Sequence, residues 1–167
     1  MYYTQVLITL PKTKFADITV NVGDGDNAIS GATVTIGTDS DTTNSDGEAT
    51  FDDIVYGTYT VSVSKTGYAT KSASITVDET HTSFNVTLEV VDTITITVDD
   101  GTNAIEGASV KIGSTTKTTN SSGECTFTSM TYQDYSAEVS AEGYTTKTET
   151  VQFRSNHKSF TISLETA

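Results

Sequence analysis

The chain has 167 residues, enough for one ordinary domain or two small ones and too few to wrap a large catalytic cavity. Its 22 acidic and 9 basic side chains give a formal net charge of -13, which opposes approach to a nucleic-acid backbone or an anionic lipid surface. One Pro, no Trp and about one-fifth Thr favour strands with exposed hydroxyls, and a single Cys supplies neither an intrachain disulfide, a structural zinc site nor a paired redox motif.

The first ten residues, MYYTQVLITL, carry polar Thr4, Gln5 and Thr9 and no basic n-region, so no secretory signal is expected. No later run approaches the roughly 18 apolar residues of a spanning helix, and a soluble chain without its own anchor is expected. Tyr2, Thr4, Val6, Ile8 and Leu10 alternate with Tyr3, Gln5, Leu7 and Thr9, which predicts a strand with one apolar face, ended by Pro11 and followed by Lys12 and Lys14. Residues 1–16 are therefore expected to form an N-terminal strand or docking arm. The candidate partner-binding residues are Tyr2, Tyr3, Val6, Ile8, Leu10, Lys12 and Lys14. Such an arm would add to the sheet edge of a neighbouring protein, and its lysines suit an acidic docking surface. The alternative is an extra edge strand folded back on the first domain.

From Ile18 onward the chain is a duplication. Ile18–Glu89 aligns with Ile94–Glu165 at one constant offset without a gap, and about half of the positions are identical. Gly25, Asn27, Ile29 and Gly31 recur as Gly101, Asn103, Ile105 and Gly107; Gly47, Phe51 and Tyr59 recur as Gly123, Phe127 and Tyr135. Only Val90–Thr93 separate the copies, without Gly, Pro or Ser, which predicts domains placed end to end with restricted freedom.

Within each copy the hydrophobic period is two: Ile18, Val20 and Val22, then Ala32, Val34 and Ile36, then Tyr59, Val61 and Val63, then Ala73, Ile75 and Val77, then Phe84, Val86 and Leu88. Turn signals at Gly23–Asn27, Asn44–Gly47, Gly57, Lys65–Gly67 and Asp78–Thr82 divide each copy into six or seven short strands. Two facing antiparallel sheets satisfy this alternation. The reading is all-β: two tandem Ig-like β-sandwiches over residues 17–90 and 91–167 behind the N-terminal segment.

The run Ile29, Gly31, Ala32, Val34 and Ile36, then TTNSDGEATF (Thr42–Phe51), then YGTYTVSV (Tyr56–Val63) with Gly67 and Tyr68, resembles the carboxypeptidase regulatory-like and Cna B-type domains, small transthyretin-like sandwiches. The resemblance implies a fold far more than a role, because such domains decorate enzymes, pilins, adhesins and virion proteins alike. Many Cna B-type domains carry a Lys to Asn or Asp crosslink assisted by a Glu. Here the first strands hold no Lys, Val63 and Val139 stand at the Glu position, and Asn85 is expected to be an exposed strand residue, so no crosslink is expected.

Other chemistries fare no better. The acidic groups Asp24 with Asp26, and Asp39, Asp41, Asp46 and Glu48, invite a calcium reading, but their spacing is not that of an EF-type loop. Copy two moreover replaces Asp39, Asp41 and Asp46 with Thr115, Lys117 and Ser122, so solvated turns and no metal are expected. His81 and His157 beside Ser83 and Ser159 form no triad, Cys125 replaces Ala49 at an inward position, and neither a catalytic residue nor a cofactor is expected. Glycan binding usually calls for aromatic platforms, which only Tyr2, Tyr3, Tyr56 and Tyr132 could offer.

The favoured expectation is a non-enzymatic virion component of a bacteriophage, a head decoration or fibre protein on the virion surface, held through residues 1–16 to a capsid or tail protein or to sister copies in a homo-oligomer. A bacterial surface or secreted adhesin or stalk module, with a host-surface glycan or protein as ligand, is the first alternative. Accessory domains of a larger enzyme are the second. Neither nucleic acid nor membrane insertion is expected.

Overall fold

Ile18, Val20 and Val22 point one way along their strand and Thr19 and Asn21 the other, so that one side is buried and the other wet. The computed structural model describes residues 12–167, and strands, bridges and turns account for all regular structure among them. The first copy forms β1 (Phe15–Gly23), β2 (Thr33–Ile36), β3 (Asp39–Thr42), β4 (Glu48–Val55), β5 (Gly57–Ser64), β6 (Lys71–Val77) and β7 (Ser83–Thr87). The second repeats that order as β8 (Val91–Asp99), β9 (Ser109–Ile112), β10 (Thr115–Thr118), β11 (Glu124–Thr131), β12 (Asp134–Ser140), β13 (Lys147–Gln152) and β14 (Ser159–Ser163).

Each copy is a sandwich of a three-stranded and a four-stranded sheet, β4-β1-β7 with β3-β2-β5-β6 in the first and β11-β8-β14 with β10-β9-β12-β13 in the second. The expectation of purely antiparallel sheets is corrected at one place in each. β1 and β7 run parallel, from Thr19 opposite Ser83 to Gly23 opposite Thr87, and β8 and β14 do the same. The last strand arrives by a crossover from the other sheet, so no hairpin forces it to oppose the first. β3 and β10 lack an apolar face and were invisible to hydrophobic alternation; they are edge strands held by pairing with β2 and β9.

Ile18, Val20, Val34, Ile36, Val61 and Val63 fill the first core, and Ile94, Ile96, Phe127, Phe153 and Ile162 the second, all at most 2% exposed. Each such burial contributes about 1.5–3 kcal/mol. The shared turn chemistry explains why the copies kept the same loops. Thr43 and Thr119 are buried, and each hydroxyl donates to a carbonyl (Ile29 or Ile105, 2.7 Å) while accepting the N–H of Ala32 or Ala108. Gly47 and Gly123 sit at φ of 79° and 73°, and a Cβ there would meet the Val22 or Val98 carbonyl at 2.5 Å, so no other residue fits the turn into β4 or β11.

The chain divides into two compact units. The first extends to Lys65 and resumes over Thr70–Leu88; the second takes Thr66–Ala69 with Glu89–Ala167. The corner Thr66–Ala69 groups there because Ala69 N–H donates to Glu89 O at 2.8 Å and Val91 N–H to Gly67 O at 2.9 Å. The second copy repeats this closure, with Thr145 N–H donating to Glu165 O and Ala167 N–H to Gly143 O.

Candidate docking site

Of the candidate partner-binding residues, Tyr2, Tyr3, Val6, Ile8 and Leu10 lie outside the described residues, while Lys12 and Lys14 lie within them, both exposed. Lys14 immediately precedes β1, and its carbonyl accepts the Tyr56 N–H at 3.0 Å, which fixes the backbone where the N-terminal segment meets the first sandwich. Its ammonium lies 5.7 Å from the centroid of the Tyr56 ring and 3.9 Å from the Glu79 carboxylate. Phe15 pairs with Val55 across β1 and β4, and both remain open to solvent at 49% and 41%. Lys12, Lys14, Phe15, Tyr56 and Glu79 line a groove of about 420 Å³. Apolar surface beside two cations can hold an extended or acidic partner segment.

The corresponding end of the second copy is packed beneath its tyrosine, and the apolar residue that stays exposed there is Val90, at 38%. Where the first has Val77 the second has Phe153, fully buried, and the Tyr132 ring packs on it with centroids 5.1 Å apart. The Tyr132 hydroxyl donates to Asp92 at 3.0 Å, and Lys158 pairs with the same carboxylate. Tyr132 is therefore packed and partnered, which corrects the expectation that it could serve as a free aromatic platform; Tyr56, its counterpart, is half-buried as Tyr132 is, but lies beneath Lys14. The Lys158 hydrogen bond, helped by the Thr93 N–H and the Tyr132 hydroxyl, holds Asp92 down to about 2. The same bond raises Lys158, and burial together with the neighbouring carboxylate raises Tyr132. Asp92 and Lys158 thus face each other as an ion pair. Sequence reasoning missed this cluster although the aligned copies contain its signal: Ala16, Val77 and Thr82 become Asp92, Phe153 and Lys158.

The remaining candidates are engaged in local structure. His81 Nδ1 lies 2.9 Å from Asp78, whose carboxylate is held well below the usual range by the Thr80 hydroxyl and N–H and then by His81. Ser83 instead accepts from the Asn21 amide, and the His157 ring packs at a tilt against Phe160 with centroids 4.3 Å apart. The Asp24 carboxylate accepts the N–H groups of Asn27 and Asp26, which lower it, and Asp100 does the same with Asn103 and Thr102. Among the described residues no group of three or more His, Cys, Asp or Glu is arranged to hold a metal ion, and no helix is long and apolar enough to cross a membrane. Asn85 is exposed on β7, and Cys125 is buried at 7% exposure, where burial pushes its thiol up.

No curated protein matches the chain. Among solved structures it is similar to the TIE protein of Bacillus anthracis, at 17% identity over 92% of this chain and 34% of that one, with a TM-score of 0.44. It is similar also to a streptococcal ancillary pilin (14% identity, 91% of this chain and 62% of that one, TM-score 0.46) and to the minor pilin GBS52 of Streptococcus agalactiae (15%, 90% and 96%, TM-score 0.45). The chain spans about a third of the first of these and less than two thirds of the second. The model of one family matches residues 17–89, the stretch that carries the Gly47 turn, Thr43 and the Gly67–Tyr68 corner. That family is the carboxypeptidase regulatory-like domain, to which residues 17–89 are similar, and the second copy repeats their strand order.

Proposed function

We propose that the protein is a non-enzymatic structural module of an external surface, attached through its N-terminal end. The observation that carries this reading is the open end of the first copy, where Phe15 and Val55 are exposed beside Lys12 and Lys14 at the point where the N-terminal segment enters the fold. The same end of the second copy, packed by Phe153 and Tyr132, is the internal control. On this reading residues 1–16 dock on a protein partner, and the sandwich domains 17–90 and 91–167 are the displayed mass. A stalk or adhesin module on a bacterial cell surface and a decoration or fibre protein on a bacteriophage particle are two settings of one role.

The experiment is fractionation of the native chain between cell envelope and purified particles, repeated with residues 2–11 deleted and with Lys12→Glu/Lys14→Glu. The expected result is a chain that stays folded by circular dichroism but leaves the fraction it occupied. Undiminished association of both variants would overturn attachment through this end, and the fraction that holds the native chain names the setting.

A further inference from the structure

The two sandwiches finish the same edge with opposite charges. β3 and β10 are the outer strands of the four-stranded sheets, each paired along one side, with β2 or β9, and open along the other. In the first sandwich Asp39 and Asp41 stand opposite Ile36 and Val34, both buried, so the two carboxylates point to the inward side of the strand. Asp41 reaches the neighbouring edge strand β4, where it accepts the Thr50 N–H at 3.1 Å. Thr50 lies opposite Thr19, whose own N–H is turned the other way, to Thr82 O, so the N–H that Asp41 caps faces out of the sheet edge.

The second sandwich keeps the backbone and changes the charge. Thr126 lies opposite Thr95, whose N–H donates to Lys158 O, so the Thr126 N–H also faces out of its edge. Lys117, which has no acceptor atom, stands where the first sandwich has Asp41, and among the described residues no side chain caps Thr126. Lys117 lies opposite the buried Val110, and burial raises the Cys125 thiol while the Lys117 charge counteracts the rise, which puts this ammonium beside β11.

We infer that β3 of one molecule pairs with β10 of a second molecule of this chain, joining the first sandwich of one to the second sandwich of the other. Charge decides the partner. An inward-facing charge on an edge strand blocks pairing with a neutral strand or with one of like sign. That excludes β3 against β3, which sets carboxylates on carboxylates, and β10 against β10, which brings two ammonium groups together with no carboxylate between them. The unlike pair satisfies both strands: in antiparallel register Asp39 faces Lys117 on the inward side and Ser40 faces Thr116 on the outward side. Backbone hydrogen bonds then join two open edges, and the charge pair fixes which residues meet. The contact is heterologous, since each molecule contributes a different patch, so it extends into rings or open chains. The inference does not depend on how the N-terminal end is attached.

The test is sedimentation velocity of the full chain over a concentration series at about 0.15 M salt, which screens the mutual repulsion of two chains of net charge -13. The native chain is expected to sediment faster as its concentration rises, with species larger than a dimer. Lys117→Asp, which installs the first sandwich's cap and reverses the charge, is expected to remain monomeric. So is Asp39→Lys/Asp41→Asn, which keeps an oxygen for the Thr50 N–H. Asp39 and Lys117 are both exposed, so the fold tolerates either variant. An equimolar mixture of the two is expected to associate again, because the first variant keeps the native β3 and the second the native β10. A native chain that is monomeric at every concentration overturns the inference. So does association that both variants retain, variants that stay apart when mixed, or association that is lost only when residues 2–11 are deleted.

Discussion

Where β1 and β8 begin, the two copies meet the same exposure problem with different residues. In the second, Phe153 fills the space beneath Tyr132, and Asp92 joins Tyr132 to Lys158. In the first, Tyr56 lies beneath the Lys14 ammonium, Ala16 and Thr82 offer no ionic partner, and Phe15 and Val55 stay exposed. The edge strands β3 and β10 diverge as well, with Asp41 in the first and Lys117 in the second. The buried Thr, the Gly turn and the core alternation are meanwhile identical. Duplication has therefore held fixed the buried Thr and the Gly turn, while the surfaces and several core positions have diverged.

The packed end offers the largest effect by which to break this comparison. Phe153→Ala should cost about 3–5 kcal/mol, because a fully buried ring that supports Tyr132 leaves a cavity. Hydrogen exchange should show the loss in β8–β14. Val77→Ala in the first copy removes far less and should register less in β1–β7; equal losses would mean that the two ends are packed alike.

Next in size is a change directed at what the copies share. Thr43→Val and Thr119→Val each keep the shape but strand a buried carbonyl and a buried N–H, at an expected cost of about 1–3 kcal/mol apiece. The two values should agree closely, and a clear inequality measured by denaturant unfolding would show that the shared loops are not energetically equivalent.

What could be read from the sequence follows the same division. Ile18, Val20 and Val22 announce their strand because alternation is itself the cause of burial, and the Gly47 turn announces itself because only Gly tolerates a carbonyl at that distance. β3 stayed hidden since DSDT has no apolar face, and the parallel pairing of β7 stayed hidden since strand direction depends on a crossover that no local pattern encodes. At the candidate site Lys12 and Lys14 stood out against an acidic chain, whereas the contact of Lys14 with Tyr56 and Glu79 joins residues far apart in sequence. The Asp92, Tyr132 and Lys158 cluster needed three separated positions to be compared between copies at once.

A smaller effect sharpens the comparison inside the second core. Cys125 stands where the first copy has Ala49, so Cys125→Ala should cost about 0.5–1.5 kcal/mol, the range of a small truncation that the surrounding core already accommodates once. Burial disfavours the thiolate, and a thiol reagent should label the native protein only slowly; rapid labelling would place the side chain outside the core.

The smallest expected effect is a pH dependence that should differ between the copies in location. Asp92 is ionised in the fold down to about 2, whereas in the unfolded chain it titrates near about 4. Its ionised form is therefore favoured by folding: the contribution is present in full above about pH 4 and fades as pH falls toward 2, because the unfolded chain takes up the proton first. Asp92→Asn should remove that part of the acid dependence from the second unit, leaving the part carried by Asp100, which Asn103 and Thr102 lower. The first unit has Ala16 at this position, but its Asp78 is lowered by Thr80 and His81, so the matching loss should appear there with Asp78→Asn and not with Asp92→Asn. An acid profile of hydrogen exchange resolved by strand separates the two. If Asp92→Asn flattened the profile of β1–β7 as well, the ion pair would be acting beyond its own end of its own sandwich, and the two ends could no longer be treated as independent variations on one duplicated frame.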